Sequence, residues 1–233
     1  MNVIDLRCGD CLQLLKEMPD DSVDLVVMDP PYEFSSTRGG GCFGTANRTC
    51  HAELTSLSTG YPVEVDDELR RVMKKVNLYV WCSKDQLRRH IDYWLDVPGV
   101  TMDLLTWHRS NPLPACGNKY LSDTDYCLFF REKGVKVYGE YHTKRKFRVT
   151  CTNKADKERY GHPTVKPVDM IRDLVYNSSK KGDMVLDPFM GSGTTGVACA
   201  QLERDFTGFE LDPVYFETAS KRIENEGNEG GWF

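Results

Sequence analysis

Apolar residues along this chain fall into short dense runs separated by stretches of helical spacing. Leu25-Val26-Val27-Met28, Leu78-Tyr79-Val80-Trp81 and Met184-Val185-Leu186 carry no charged residue on either face, which is how strands covered on both sides read. Val23 to Met28, Asn77 to Cys82, Met184 to Asp187 and Phe206 to Glu210 are therefore expected as buried strands, with Asn2 to Arg7 as a shorter one. Between them apolar positions recur three and four apart, as at Leu69, Val72 and Met73 or at Met170, Ile171, Leu174 and Val175. This spacing predicts helices over Cys11 to Glu17, Val65 to Lys75, Asp85 to Leu95, Val168 to Ser178, Val197 to Glu203 and from Asp212-Pro213 to about Asn225. Asp10 suits the cap of the first, and Pro167 the opening turn of the fourth. Val100 to Trp107 has a mixed strand pattern, and Thr124 to Arg131 is expected to pair antiparallel as an edge hairpin. The alternation of strands and helices places the chain in the α/β class.

Length and composition narrow this further. A chain of 233 residues accommodates one such domain and a small insertion. No stretch approaches eighteen apolar residues, and Met1-Asn2-Val3-Ile4-Asp5 has neither a charged leader nor an apolar signal core, so a soluble cytoplasmic protein with no membrane partner is expected. The nine cysteines are odd in number and scattered, as reduced thiols are. Cys8-Gly9-Asp10-Cys11 mimics a redox pair and Cys42 with Cys50-His51 a metal set, but neither has the lead-in or the second matched pair such sites use, so no metal is expected. Residues 33–60 are rich in Gly, Ser, Thr and Arg with little periodicity, which fits a closing lid or a surface insertion. The net charge of −5 conceals a local excess, because residues 131–159 hold ten Lys or Arg against four Asp or Glu. Such a stripe is either a solvated face or a surface for a polyanion.

The candidate chemistry lies at two strand ends. Asp29-Pro30-Pro31-Tyr32 stops the first long run, leaving a carboxylate at the carboxyl end of a buried strand, where open α/β sheets bind ligands. The prolines remove two backbone donors, so nearby carbonyls can face a ligand, and Tyr32 offers a flat face beside them. Such acceptors beside a ring suit a planar ring carrying an exocyclic amino group, although an ordinary strand-ending turn has the same residues. Asp187-Pro188-Phe189-Met190-Gly191-Ser192-Gly193-Thr194-Thr195-Gly196 is a second strand end running through a glycine turn into a helix, a place where backbone N–H groups approach a ligand. Thr194 stands where a phosphate-binding Walker loop has Lys; the glycines at 191, 193 and 196 formally match the dinucleotide spacing, which keeps a nicotinamide oxidoreductase open.

With His162-Pro163-Thr164-Val165-Lys166-Pro167 between them, these segments resemble the DNA amino-methyltransferases of the β arrangement, in which the catalytic segment precedes the S-adenosylmethionine segment. The resemblance covers about Val3 to Ile223. It implies a circularly permuted, Rossmann-like class I methyltransferase fold, with a seven-stranded mostly parallel sheet containing one antiparallel strand, as a single domain. It further implies methyl transfer from S-adenosylmethionine to the N6 amine of adenine flipped out of double-stranded DNA, with Asp29, Pro30, Pro31 and Tyr32 catalytic. Cofactor contacts are implied for Asp10, Asp29, His162, Thr164, Lys166, Asp187, Pro188, Phe189, Gly191, Ser192, Gly193, Thr194, Thr195 and Glu210. Among these, Thr164 and Lys166 are expected at the methionine end and Glu210 at the ribose. Arg38 and Arg48 of the 33–60 loop, Arg109 after Trp107, and Lys144, Arg145, Lys146 and Arg148 of a small target-recognition insertion at about 132–160 are the expected DNA contacts; Asn118, Lys119 and Tyr120 are placed toward the substrate. So small an insertion implies a short or relaxed recognition site. Cytosine-N4 methylation is the alternative, since cytosine members more often carry Ser before Pro-Pro-Tyr, and a catalytically inactive DNA-binding homologue is a third. A monomer or homodimer, nucleoid-associated, with or without a restriction endonuclease partner, is compatible with all of this.

Overall fold

The chain runs β1 (Ile4–Cys8), α1 (Cys11–Lys16), β2 (Leu25–Met28), α2 (Glu64–Val72), β3 (Asn77–Cys82), α3 (Leu87–Leu95), β4 (Val100–Arg109), β5 (Thr124–Glu132), β6 (Phe147–Thr150), α4 (Val168–Ser178), β7 (Met184–Asp187), α5 (Thr194–Gln201), β8 (Asp205–Glu210) and α6 (Pro213–Asn228). This is a computed structural model that describes residues 2–32, 60–112, 118, 120–152, 159–160 and 165–228. The strands form one sheet in the order β1-β8-β7-β2-β3-β5-β4-β6. Each strand pair is parallel except the two made by β5, which runs against both β3 and β4.

Unbroken apolar runs become central strands because both of their faces are covered. Along β2, Val26 and Met28 face a core shared with Leu15, Val65, Leu69 and Trp94 of α1, α2 and α3. Leu25 and Val27 face the opposite core, with Met170, Ile171 and Leu174 of α4, Val197 of α5 and Ile223 of α6. Period-two alternation thus divides one apolar run between two layers of helices. The helix faces expected at Met170 to Val175 and at Leu69 and Val72 are buried in those layers.

The topology differs from expectation in three places. The sheet has eight strands rather than seven, because Phe147–Thr150 of the basic segment pairs with β4 from Thr106↔Phe147 to Arg109↔Thr150 and extends the edge. Thr124–Glu132 pairs antiparallel, as expected, but not at an edge: it lies between β3 and β4 and is buried from Cys127 to Phe130. The helix after the glycine turn begins at Thr194 instead of Val197, since the turn itself supplies its cap at Gly193. One smaller difference concerns α2, which stops at Val72 because Met73 turns extended and bridges Val23.

Inserting β7 beside β2 creates the functional geometry. The connection leaving β2 leads to α2 on one face of the sheet, while that leaving β7 leads to α5 on the other. A crevice opens where neighbouring connections diverge in this way. Asp29 and Asp187 end the two strands that flank it, in a register that pairs Leu25 with Val185 and Val26 with Leu186.

The segment between β5 and β6 is anchored rather than loose. Tyr138 N–H donates to the Asn177 carbonyl at 2.6 Å, Thr143 Oγ1 donates to Asn177 Oδ1 at 2.6 Å, and Asn177 Nδ2 returns a bond to the Thr143 carbonyl at 2.9 Å. Trp107 Nε1 donates to Thr150 Oγ1 at 2.7 Å, tying β6 to β4 on the same side. The segment therefore hangs from the end of α4 and the edge of the sheet.

Candidate active site

β2 must end at Asp29 because Pro30 and Pro31 cannot continue the ladder. The Asp29 carboxylate accepts from Tyr32 Oη at Oδ1 (2.9 Å) and from Lys166 Nζ at Oδ2 (2.5 Å). Lys166 Nζ also lies 3.4 Å from Tyr32 Oη, and 5.1 Å from the Trp81 ring centroid. The lysine side chain is 7 % exposed and that of Asp29 25 %, so the pair is closed on the lysine side and open on the carboxylate side. Burial and the Asp29 charge both hold the Tyr32 phenol well above its usual range, keeping it a donor. The Pro31 carbonyl accepts from Gln86 Nε2 at 3.2 Å, and Ser83 N–H donates to Gln86 Oε1 at 3.1 Å. Gln86 is 1 % exposed, and it staples the turn after Pro-Pro to the end of β3.

At the neighbouring strand end, Asp187 stabilises the glycine turn from within. Its carboxylate accepts from Thr195 Oγ1 at 2.6 Å and from Phe189 N–H at 3.1 Å. Burial raises Asp187 to about 7, with Asp29 and Glu210 adding to the rise and the Thr195 and Phe189 bonds opposing it. Gly193 has φ +79° and a Cβ there would stand 3.1 Å from the Ala219 backbone, so the turn needs glycine for both conformation and space. Glu210, ending β8, accepts from Gly191 N–H at 2.8 Å and from Asp212 N–H at 2.9 Å. Its pKa is raised by burial, and those backbone donors partly offset the rise. Arg222 of α6 fastens the turn from behind, donating to the Ser192 carbonyl (3.1 Å), Ser192 Oγ (3.2 Å) and Thr194 Oγ1 (3.1 Å).

Most of the residues singled out in the sequence meet here. Asp29, Pro30, Pro31, Tyr32, Lys166, Asp187, Pro188, Phe189, the 191–195 turn and Glu210 lie at the carboxyl ends of β2, β7 and β8 or in the segments that follow or face them. Phe189 reaches toward the segment before α2, its ring 5.3 Å from that of Tyr61. Asp10 follows β1 and caps α1, accepting from Gln13 N–H at 3.1 Å. Gly196 belongs to packing, because a Cβ there would collide with Ile223. Arg38, Arg48, His162, Thr164, Lys119, Cys42, Cys50 and His51 lie outside the described residues.

The basic residues divide into two groups. Arg109 of β4 pairs with Asp125 of β5 at 3.4 Å, a bond within the sheet, whereas Lys146 pairs with Asp103 of β4 and Arg148 with Asp173 of α4, so these two charges hold the insertion to the sheet and to α4. Lys144 and Arg145 are exposed. Cys8 and Cys11 are free thiols, and burial with the Asp10 charge pushes Cys11 up to about 12, the opposite of what a redox nucleophile requires.

Sequence reasoning missed three contributors, Gln86, Trp81 and Arg222. Each is far along the chain from the segment it supports and sits in an ordinary strand or helix pattern. The clue available was a polar residue, Gln86 or Arg222, inside an otherwise amphipathic stretch.

Comparisons with known proteins agree with this arrangement. A DNA methylase family model covering N6 and N4 enzymes matches residues 23–221. The chain is 28 % identical to the Type II methyltransferase M2.DpnII of Streptococcus pneumoniae, over 97 % of this chain and 91 % of that protein. It is also 28 % identical to M.HinfI of Haemophilus influenzae, over 92 % of this chain and 67 % of the relative. Among solved structures, the M1.HpyAVI–SAM complex superposes with a TM-score of 0.70 at 25 % identity, covering 94 % of this chain and all (100 %) of that one. The cytosine-N4-specific PvuII DNA methyltransferase shares the fold at 16 % identity, with a TM-score of 0.71 over 99 % of this chain and 93 % of its own. With both strand ends, the glycine turn and the intervening sheet inside the matched region, the chain belongs to the DNA methylase family of N6 and N4 amino-methyltransferases.

Proposed function

We propose that the protein transfers the methyl group of S-adenosylmethionine to the exocyclic N6 amine of adenine in double-stranded DNA. The observation that carries this reading is the adjacency of two strand ends: Asp29 with its prolines and Tyr32 on one, the Asp187–Thr195 glycine turn on the other. The residues present fit the cofactor. Glu210 ends the next strand as an acceptor beside the turn, where a ribose diol would bond, and Asp10 stands one strand further along. When bound, S-adenosylmethionine supplies an electrophilic methyl on a sulfonium.

The chain's own groups then act on the amine. An adenine amino nitrogen donates its lone pair into the ring, which makes it a weak nucleophile. The Asp29 carboxylate and the Pro30 carbonyl would accept hydrogen bonds from its two N–H groups and turn the lone pair toward the methyl, as preorganised acceptors that need no reorganisation during transfer. As the N–C bond forms and the sulfonium S–C bond breaks, one amine proton is released to solvent. Tyr32 stacks on the base after it leaves the duplex, offsetting an unstacking cost of a few kcal/mol. Lys144 and Arg145, with Arg38 and Arg48 of the 33–60 segment, contact phosphate. Asp before Pro-Pro-Tyr supports adenine over cytosine. The Type II designation of the relatives supports a modification role beside a restriction endonuclease.

Radiolabelled methyl transfer to DNA, followed by nucleoside mass spectrometry, tests the reading. N6-methyladenine is the expected product, and N4-methylcytosine or no product would overturn it. Asp29→Ala is expected to abolish transfer while cofactor affinity stays within about threefold of wild type, because one of several acceptors near the cofactor is lost.

A further inference from the structure

Lys166 follows the His162-Pro163-Thr164 segment, and its resemblance-based role is to hold the methionine end of the cofactor. Its position fits a different task. The amine lies 2.5 Å from Asp29 Oδ2 and 3.4 Å from Tyr32 Oη, with the Trp81 and Tyr32 ring centroids at 5.1 and 5.6 Å. Two catalytic side chains and an aromatic wall surround one ammonium, and the side chain is 7 % exposed.

We propose that Lys166 is a positioning residue for transfer, fixing the Asp29 carboxylate and the Tyr32 hydroxyl against each other so that the remaining lone pairs of Asp29 face the amine of the target base. The proposal rests on the methyltransferase reading above and deepens it. A free Asp side chain at a strand end turns about two bonds, and an acceptor displaced by about 1 Å from the productive geometry costs on the order of a hundredfold in rate. Tyr32 restrains one carboxylate oxygen and Lys166 the other. Both bonds are charge-assisted, and the one from Lys166 joins two opposite full charges. The flanking rings in turn limit where the ammonium can go, because a cation is held over an aromatic face.

The test compares wild type, Lys166→Met and Lys166→Arg. Steady-state transfer to DNA is measured alongside calorimetric titration of each protein with S-adenosylmethionine and a thermal melt. Lys166→Met is expected to lose about a hundredfold in kcat with the cofactor Kd and the DNA KM each within about threefold of wild type; Lys166→Arg, which keeps the charge but spreads it over a planar fork, is expected to recover about tenfold of that loss and to stay about tenfold below wild type. A weakened cofactor Kd with unchanged kcat would overturn the proposal and return Lys166 to the cofactor tail. An unchanged kcat in both variants would overturn it as well. Where Lys166→Met melts too early to assay, Lys166→Arg decides: its proposal-supporting outcome is reduced kcat with a wild-type cofactor Kd, and wild-type kcat counts against the link. Failure of the wild-type protein to methylate DNA is a separate result that refutes the proposed function itself.

Discussion

Asp187 is 4 % exposed, and its carboxylate is raised to about 7 because burial disfavours charge more than Thr195 and Phe189 can offset. In the unfolded chain the same carboxylate titrates near 4, at about 3.9. Between these values the folded state keeps a proton that the unfolded state has released. The resulting stability is complete below about pH 4 and is lost as pH rises through about 7. Asp66, raised to about 6 by burial, adds a contribution of the same sign. Urea unfolding of wild type and Asp187→Asn should therefore diverge with pH, wild type losing roughly 4 kcal/mol more between pH 4 and pH 8. Parallel stability profiles would show that Asp187 is not protonated in the folded protein. Tyr32 allows a second comparison, since separate roles are proposed for its ring and its hydroxyl. Tyr32→Phe keeps the ring and loses the 2.9 Å bond to Asp29, and about a tenfold fall in kcat is expected; Tyr32→Ala loses both, and about a hundredfold fall is expected. Equal turnover in wild type and Tyr32→Ala would refute the stacking role.

The glycine turn and the edge strand show how an element rather than a single side chain shapes the site. Gly193 caps α5 at positive φ with Ala219 against it, so Gly193→Ala is expected to cost on the order of 1–3 kcal/mol of stability and to weaken cofactor binding in calorimetry. β6 converts part of a basic loop into sheet, which changes what its charges do. Arg148 and Lys146 are committed to Asp173 and Asp103, while Lys144 and Arg145 stay exposed just before the strand. Replacing Lys144 and Arg145 by Ala should flatten the slope of log affinity for DNA against log salt by about 2, at ~0.9 for each phosphate no longer neutralised. Replacing Arg148 by Ala should lower stability instead and leave that slope nearly unchanged, because its guanidinium is already paired. A salt slope that falls equally in both variants would mean that the pairing with Asp173 opens on DNA.

Across the molecule, the order of the chain and the order of the sheet part company, and this separates what each could reveal. The described part of the insertion commits much of its polar capacity to α4 and β4, leaving few side chains to read base edges. Methylation mapping of a genome carrying this protein should return a short or relaxed site; a long, strictly defined one would contradict that. The sequence by itself determined the α/β class, nearly all of the elements, and the two strand ends with the order in which they come, because buried strands, prolines and glycine turns leave local patterns that no distant residue has to complete. The Val168–Ser178 helix came out with the bounds expected of it. Tertiary structure alone decided that β7 lies beside β2, that β5 runs between β3 and β4, that β6 pairs with β4, and that Lys166 reaches Asp29 across 137 residues of chain. Each of these depends on which surfaces meet, through strand pairing, ion pairs and buried hydrogen bonds between residues far apart in sequence. Local periodicity carries no record of such partners.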